Sequence, residues 1–143
     1  MKTEKLCLFY VNKAHLFVIM KEYLKDKEEY EITTFFENEI KDELDEPSMY
    51  EPIELDEISC EITKKPEQRQ IGKGKNKVIL IDGSDEYRMR VTQYIKEQLK
   101  KTNADNLKLI NVYDFEENKF RMSRIFTNNE KIIYTIGEEI IEH

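Results

Sequence analysis

Two stretches of this chain, Leu6-Cys7-Leu8-Phe9-Tyr10-Val11 and Val78-Ile79-Leu80-Ile81, are apolar at every position. An unbroken apolar run of strand length offers no polar face to water. It has to be covered on both sides, as in a parallel sheet with helices packed above and below. Each run leads into helical spacing. Behind Asn12, a residue suited to capping a helix, Leu16, Phe17, Ile19, Met20, Tyr23 and Leu24 form one stripe. Behind Gly83-Ser84-Asp85, where Ser84 or Asp85 can cap, Tyr87, Val91, Tyr94, Ile95 and Leu99 form another. A strand follows each helix: Tyr30 to Phe36 is β-branched and aromatic, and Leu107 to Tyr113 alternates and then turns apolar. The reading is strands at 6–11, 30–36, 78–82 and 107–113, with helices at 14–25 and 86–101. Two strand–helix–strand units in 143 residues predict a single three-layer α/β domain over 1–143. Its sheet is mainly parallel with crossover helices, Rossmann- or RecA-like.

Six of the seven Gly and Pro residues fall between 47 and 83, which marks an irregular insertion at about 37–76. Glu37 to Glu57 carry ten acids and one base; Lys64 to Lys77 carry six bases and one acid. Both 37–57 and 64–76 are expected to be exposed and among the most mobile parts, with Lys-specific proteolysis favouring 64–75. Between them Glu54 to Thr63 alternates, with Ile58, Cys60 and Ile62 on one side, as an edge strand does. Phe115 to Phe126 reads as a helix with Phe120, Met122, Ser123 and Phe126 partly inward. Lys131 to Ile136 reads as a last strand, and Glu138 to His143 as a short strand or helix.

Several classes of function drop out. A net charge of −7 argues against a surface built for phosphate backbones, so no nucleic-acid partner is expected. No apolar run reaches the roughly 18 residues that span a bilayer, and the opening apolar run is too short for a signal peptide. The expectation is a soluble cytoplasmic domain with no membrane contact. Cys7 and Cys60 read as reduced, buried thiols. With His15 and His143 the only histidines and no Cys-x-x-Cys, neither a transition-metal site nor a cofactor is expected.

Three places offer chemistry. Ligands of open parallel sheets bind at the carboxyl ends of strands, which makes Asp82, Ser84 and Asp85 candidate binding residues. With Asp114 and Glu116 after the following strand, Asp82 and Asp85 also allow an alternative, a small Mg-dependent phosphoryl-transfer enzyme or nuclease. Ile81-Asp82-Gly83-Ser84 resembles the first strand of PIN-type nucleases and the start of response-regulator receivers. The chain does not supply a receiver's phosphoacceptor Asp and Lys on later strands. The stretch Gly72-Lys73-Gly74-Lys75 can offer backbone N–H groups and the cations Lys73 and Lys75 to an anion or partner. It is not a Walker loop, because a strand rather than a helix follows. The third place is Asn12 with His15, near Tyr10 and Cys7; Cys7 sits mid-strand in an apolar run, so binding rather than nucleophilic catalysis is expected there.

Leu6-Cys7-Leu8-Phe9-Tyr10, followed by a helix, resembles the opening of MEDS domains, the sensory domains of methanogen and methylotroph regulators. In that family a His-x-Cys-x-Phe-Tyr strand leads into a long helix; Lys5 stands here in place of the His. Val78-Ile79-Leu80-Ile81-Asp82, Glu86-Tyr87, Arg88-Met89 and Leu107-Lys108-Leu109-Ile110 are similar to the family's later strand–helix–strand. The resemblance implies a RecA/KaiC-like sheet without a working P-loop, a role in sensing or partner binding, and no catalytic residues. The expected function is a non-catalytic sensory or regulatory domain of a bacterial or archaeal cytoplasm. It would bind a small ligand or a protein partner, with a homo-oligomer left open.

Overall fold

The two continuous apolar runs become inner strands of one six-stranded sheet in the computed structural model. The structure describes residues 2–25, 27, 29–41, 58–127, 131–136 and 139–142. In chain order the elements are β1 (Lys2–Tyr10), α1 (Lys13–Leu24), β2 (Glu31–Phe36), β3 (Asn76–Asp82) and α2 (Asp85–Leu99). They continue with β4 (Asn106–Asp114), α3 (Phe115–Asn118), α4 (Met122–Thr127), β5 (Lys131–Ile136) and β6 (Glu139–Glu142). The sheet order is β2-β3-β4-β1-β5-β6. The first five strands in that order are mutually parallel, and β6 runs antiparallel to β5.

Successive strand residues alternate between two cores, as the pleat requires. Leu6, Leu8, Tyr10, Val78, Leu80, Ile110 and Val112 pack with Leu16, Phe17, Ile19, Met20 and Tyr23 of α1. On the other face Phe35, Ile79, Ile81, Leu107 and Leu109 pack with Tyr87, Val91, Ile95 and Leu99 of α2. Cys7 and Tyr113 meet Ile125 of α4 on that same face. Each such aliphatic side chain contributes about 1.5–3 kcal/mol when taken fully out of water. This is the three-layer α/β arrangement expected from the runs. No helix among the described residues is long and apolar enough to cross a membrane.

β1 starts earlier than its apolar run because Lys2 to Lys5 pair with Asn106 to Leu109. The polar side chains there find partners. Lys108 Nζ lies 3.1 Å from Glu4, Lys131 Nζ lies 3.0 Å from Glu142, and the Tyr23 hydroxyl donates to Glu142 at 2.8 Å. Burial opposes ionisation of Glu4, but Lys108 and Lys131 outweigh it and hold the carboxyl below its ordinary range.

α4 is only six residues, about 9 Å, against about 30 Å for the nine-residue β1. The α2/α4 face is therefore incompletely covered, and Lys5 stays exposed within β1.

Three expectations change. Phe115 to Phe126 is not one helix: α3 ends at Asn118, a 3₁₀ turn spans Lys119–Arg121, and α4 follows. The break shifts the helical phase, so Ile125 is buried while Phe120 is 92% exposed and Ser123 faces solvent. Of the expected edge strand Glu54 to Thr63, residues 54–57 lie outside the described residues. The remainder joins β2 through a single bridge, Phe36 with Ile62, rather than a ladder. Residues 42–57 of the acidic stretch likewise lie outside the described residues.

The basic segment 64–76 is partly packed rather than uniformly exposed. Pro66 is buried, Ile71 packs against the α2-side core, and the Tyr94 hydroxyl donates to the Arg69 carbonyl at 2.7 Å. Of the two residues that could cap α2, the structure uses Ser84. Ser84 Oγ accepts from the Tyr87 N–H at 3.1 Å, whereas Asp85 pairs with Arg121 at 2.8 Å on the surface. Ser84→Ala is therefore expected to cost about 1 kcal/mol in urea denaturation. Asp85→Asn should cost under about 0.5 kcal/mol, because exposed ion pairs contribute little. The reverse ranking of the two midpoints would show that the cap is misassigned.

Candidate functional site

The parallel strands β1, β3 and β4 end at Tyr10, Asp82 and Asp114, with Tyr10 opposite Asp114 and Phe36 opposite Asp82. From β1 the chain passes through α1 on one face to β2; from β4 it passes through α3 and α4 on the other face to β5. Adjacent strands whose connections diverge in this way leave a crevice at their carboxyl ends. A cavity of about 790 Å³ opens there. Its floor holds Tyr10, Asp82 and Arg88, and one wall is α3 with Glu116, Glu117 and Asn118.

The opposite wall is the segment 37–41, which leaves β2 and straps across the sheet edge. The Glu37 N–H donates to the Asp82 carbonyl at 2.9 Å, and Glu37 Oε1 accepts from the Ser84 N–H at 2.9 Å. At the far end the Lys13 N–H donates to the Lys41 carbonyl at 2.6 Å. Gly83, with φ of +155°, lies beneath the strap; a Cβ there would stand 2.8 Å from the Glu37 Cβ and 2.6 Å from the Tyr87 ring.

Arg88 organises the floor. Its guanidinium donates to the carbonyls of Ile81 (2.8 Å), Gly83 (2.9 Å) and Val112 (2.7 Å), to Asn111 Oδ1 (3.1 Å) and to Asp82 Oδ1 (3.1 Å). It also lies 3.8 Å over the Tyr113 ring. The second oxygen of Asp82 accepts the Tyr10 hydroxyl at 2.5 Å. Burial pushes the Asp82 carboxyl above its ordinary range, against the opposing pull of Tyr10 and Arg88. Burial likewise lowers Arg88 and raises Tyr10 from their ordinary values. Asp114 accepts from the N–H groups of Glu116 (2.9 Å) and Glu117 (3.3 Å), capping α3.

Asn12 and His15 lie beside this edge but inside the fold, 0% and 8% exposed. Asn12 Oδ1 accepts from the His15 N–H at 2.8 Å, and His15 Nδ1 accepts from the Val11 N–H at 2.9 Å. Only two residues, Val11 and Asn12, join β1 to α1, and the N–H groups of Lys13, His15 and Leu16 are already bonded.

Accepting at Nδ1 ties His15 to a neutral ring tautomer, and burial lowers its pKa below the ordinary 6.5. The unfolded chain then binds the proton more readily. His15 contributes stability that is present at pH 7 and is lost as pH falls below about 6.5 towards its folded value. Thermal melting of wild type should show a steeper loss between pH 7 and pH 5 than His15→Gln; equal slopes would remove His15 from the account.

Lys73 and Lys75 are at the opposite edge, where β3 begins, about 20 Å of strand away from Asp82. The glycines there enclose a carboxylate of the chain itself. The Gly74 N–H donates to Glu31 Oε2 at 3.0 Å, and Lys77, 1% exposed, donates to Glu31 Oε1 at 2.9 Å and to the Gly72 carbonyl. The structure therefore gathers Asp82, Ser84, Asp114 and Glu116 at one cleft. It places Asn12 and His15 beside that cleft, Asp85 on its outer flank, and Lys73 and Lys75 elsewhere.

Sequence reasoning missed Tyr10, Glu37, Arg88 and Arg121 as parts of this site. Arg88 left a signal: it stands three residues before Val91 and seven before Ile95, on the buried stripe of α2. Fold and cleft together define an α/β domain with a ligand-sized crevice at the carboxyl edge of its parallel sheet. Comparison with protein-family models, curated proteins and solved structures finds no match to this chain.

Proposed function

We propose that this chain is a non-catalytic sensory or regulatory domain, similar in kind to MEDS domains, that binds a small ligand in the carboxyl-edge cleft. The observation that carries the reading is how the strand-end carboxylates are employed. Asp82 is held between Tyr10 and Arg88, Asp114 caps α3, and Asp85 pairs with Arg121. A general acid, a base or a metal ligand has to present its oxygens to substrate or ion; both oxygens of Asp82 and of Asp85, and Oδ1 of Asp114, are already given to the fold. Among the described residues no group of three or more His, Cys, Asp or Glu is placed to hold a metal. The short β1–α1 link supports a RecA-like sheet without P-loop chemistry. Glu37, Glu39, Asp82, Asp114, Glu116 and Glu117 outnumber Lys41, Arg88 and Arg121 around the cleft, which favours a ligand carrying amino groups or other donors.

The experiment has two arms. In the first, wild type is incubated with Mg²⁺ or Mn²⁺ and single-stranded RNA, DNA or p-nitrophenyl phosphate. The expected result is no turnover that disappears in Asp82→Asn, a substitution costing about 1 kcal/mol of stability. In the second, a metabolite library is screened by thermal shift, since a ligand of the native state raises the melting point by mass action. Hits should lose their effect in Glu117→Gln. Metal-dependent cleavage by wild type, lost in Asp82→Asn, refutes the proposal in favour of the phosphoryl-transfer alternative with Asp82, Asp85, Asp114 and Glu116.

A further inference from the structure

We propose that the open trench between α2 and α4 is a second binding site, for a small ligand bearing phosphate groups. The trench exists because α4 is too short to cover β1, and it encloses about 440 Å³, within the range of small-molecule pockets. Its floor carries Lys5, a cation in a strand paired with β4 along its whole length, at a position where the sheet interior calls for an apolar residue. Lys96 of α2, Arg121 at the end of the 3₁₀ turn and Arg124 of α4 line the same space.

The charge there is unbalanced. Several cations of the fold have carboxylate partners: Lys77 has Glu31, Arg88 has Asp82, Lys108 has Glu4 and Arg121 has Asp85. Among the described residues no carboxylate lies within ion-pair distance of Lys5, Lys96 or Arg124. Among the described residues that line the trench the one acid, Asp85, accepts both its bonds from Arg121, at 2.9 and 2.8 Å. Three such cations in one concavity, on a chain of net charge −7, repel one another until an anion enters.

The arrangement selects among anions. The cations come from three elements, β1, α2 and α4, and converge on a bounded space rather than tracking along the surface as a polynucleotide groove does. Lysine ammonium and arginine guanidinium groups suit the several oxygens of a phosphate, which a lone carboxylate cannot match. Met89, 74% exposed at the rim, offers apolar contact to the rest of the ligand. The Gly/Lys stretch at 72–75 lies at the opposite edge of the sheet, where the Gly74 N–H already serves Glu31 and Lys73 and Lys75 are exposed.

The test uses the full chain and sodium pyrophosphate in isothermal titration calorimetry, with sodium chloride holding ionic strength constant. Saturable one-site binding is expected. Lys5→Gln and Arg124→Gln should each weaken it about tenfold, the loss of one charge-assisted hydrogen bond. Both side chains are exposed, and unchanged melting curves will show that the fold persists. The double substitution Lys73→Gln, Lys75→Gln should leave binding unchanged, as should Glu117→Gln in the carboxyl-edge cleft. The proposal is overturned by absence of saturable binding, or by equal weakening in the Lys73/Lys75 variant. Tighter binding of single-stranded RNA with affinity rising with its length would also overturn it.

Discussion

Arg88→Met should lower the unfolding free energy by about 3–5 kcal/mol, measured by urea denaturation at pH 7. A domain of this size has about 5–15 kcal/mol in all, so the variant sits near the limit of folding. The loss comes from what stays behind. Asp82 keeps its half-buried position without its cation, and the carbonyls of Ile81, Gly83 and Val112 lose the donors that join β3, β4 and α2. Methionine fills much of the volume, so a cavity adds little. The double variant Arg88→Met, Asp82→Asn should recover part of the loss, because the stranded charge is gone. A single-variant loss under about 1 kcal/mol would show that Arg88 is a surface ornament rather than the tie at the strand ends.

Gly83→Ala should cost about 2–4 kcal/mol in the same measurement, from backbone strain and overpacking together. The positive φ disfavours any side chain, and the new methyl would press on the Glu37 backbone-proximal carbon and on the Tyr87 ring. Neither neighbour can yield freely. Glu37 is fixed at both ends of its hydrogen bonds, and Tyr87 is buried with its hydroxyl donating to the Thr63 carbonyl at 2.5 Å. The same substitution should displace the strap 37–41 and so weaken any ligand of the carboxyl-edge cleft. A stability loss under about 0.5 kcal/mol would mean that the turn relaxes without cost.

The layers of the fold were legible because burial on two faces leaves a mark in composition. Val78 to Ile81 has no polar position to spare, and the structure puts Val78 and Leu80 under α1 and Ile79 and Ile81 under α2. The order of the strands left no such mark. Nothing in Leu6 to Val11 distinguishes a strand flanked by β4 and β5 from one flanked by β2. Helix phase was read correctly where a stripe ran unbroken, as in α2, and failed after Asn118, where the 3₁₀ turn Lys119–Arg121 leaves Phe120 outward. At the site, Asp82 was visible because an acid closes an apolar strand. Arg88 was not, because a charged residue in a helix is ordinarily solvated, and only its partners on three other segments show that this one is not. Lys5 fell just outside the strand read at 6–11 and was noted only as standing in place of a His. It is instead the place where the covering helix runs out.

The placement of β1 also governs how the chain acquires its structure. The strand made first pairs with β4 and β5, and Lys2 meets a residue 104 positions further on, at Asn106. During synthesis this apolar segment therefore waits for most of the domain before it has a neighbour. Until then Leu6 to Tyr10 is an unpaired edge, and loop closure over that span sets a slow, non-local step in folding. Translation that pauses before β4 emerges exposes this segment to association with other chains.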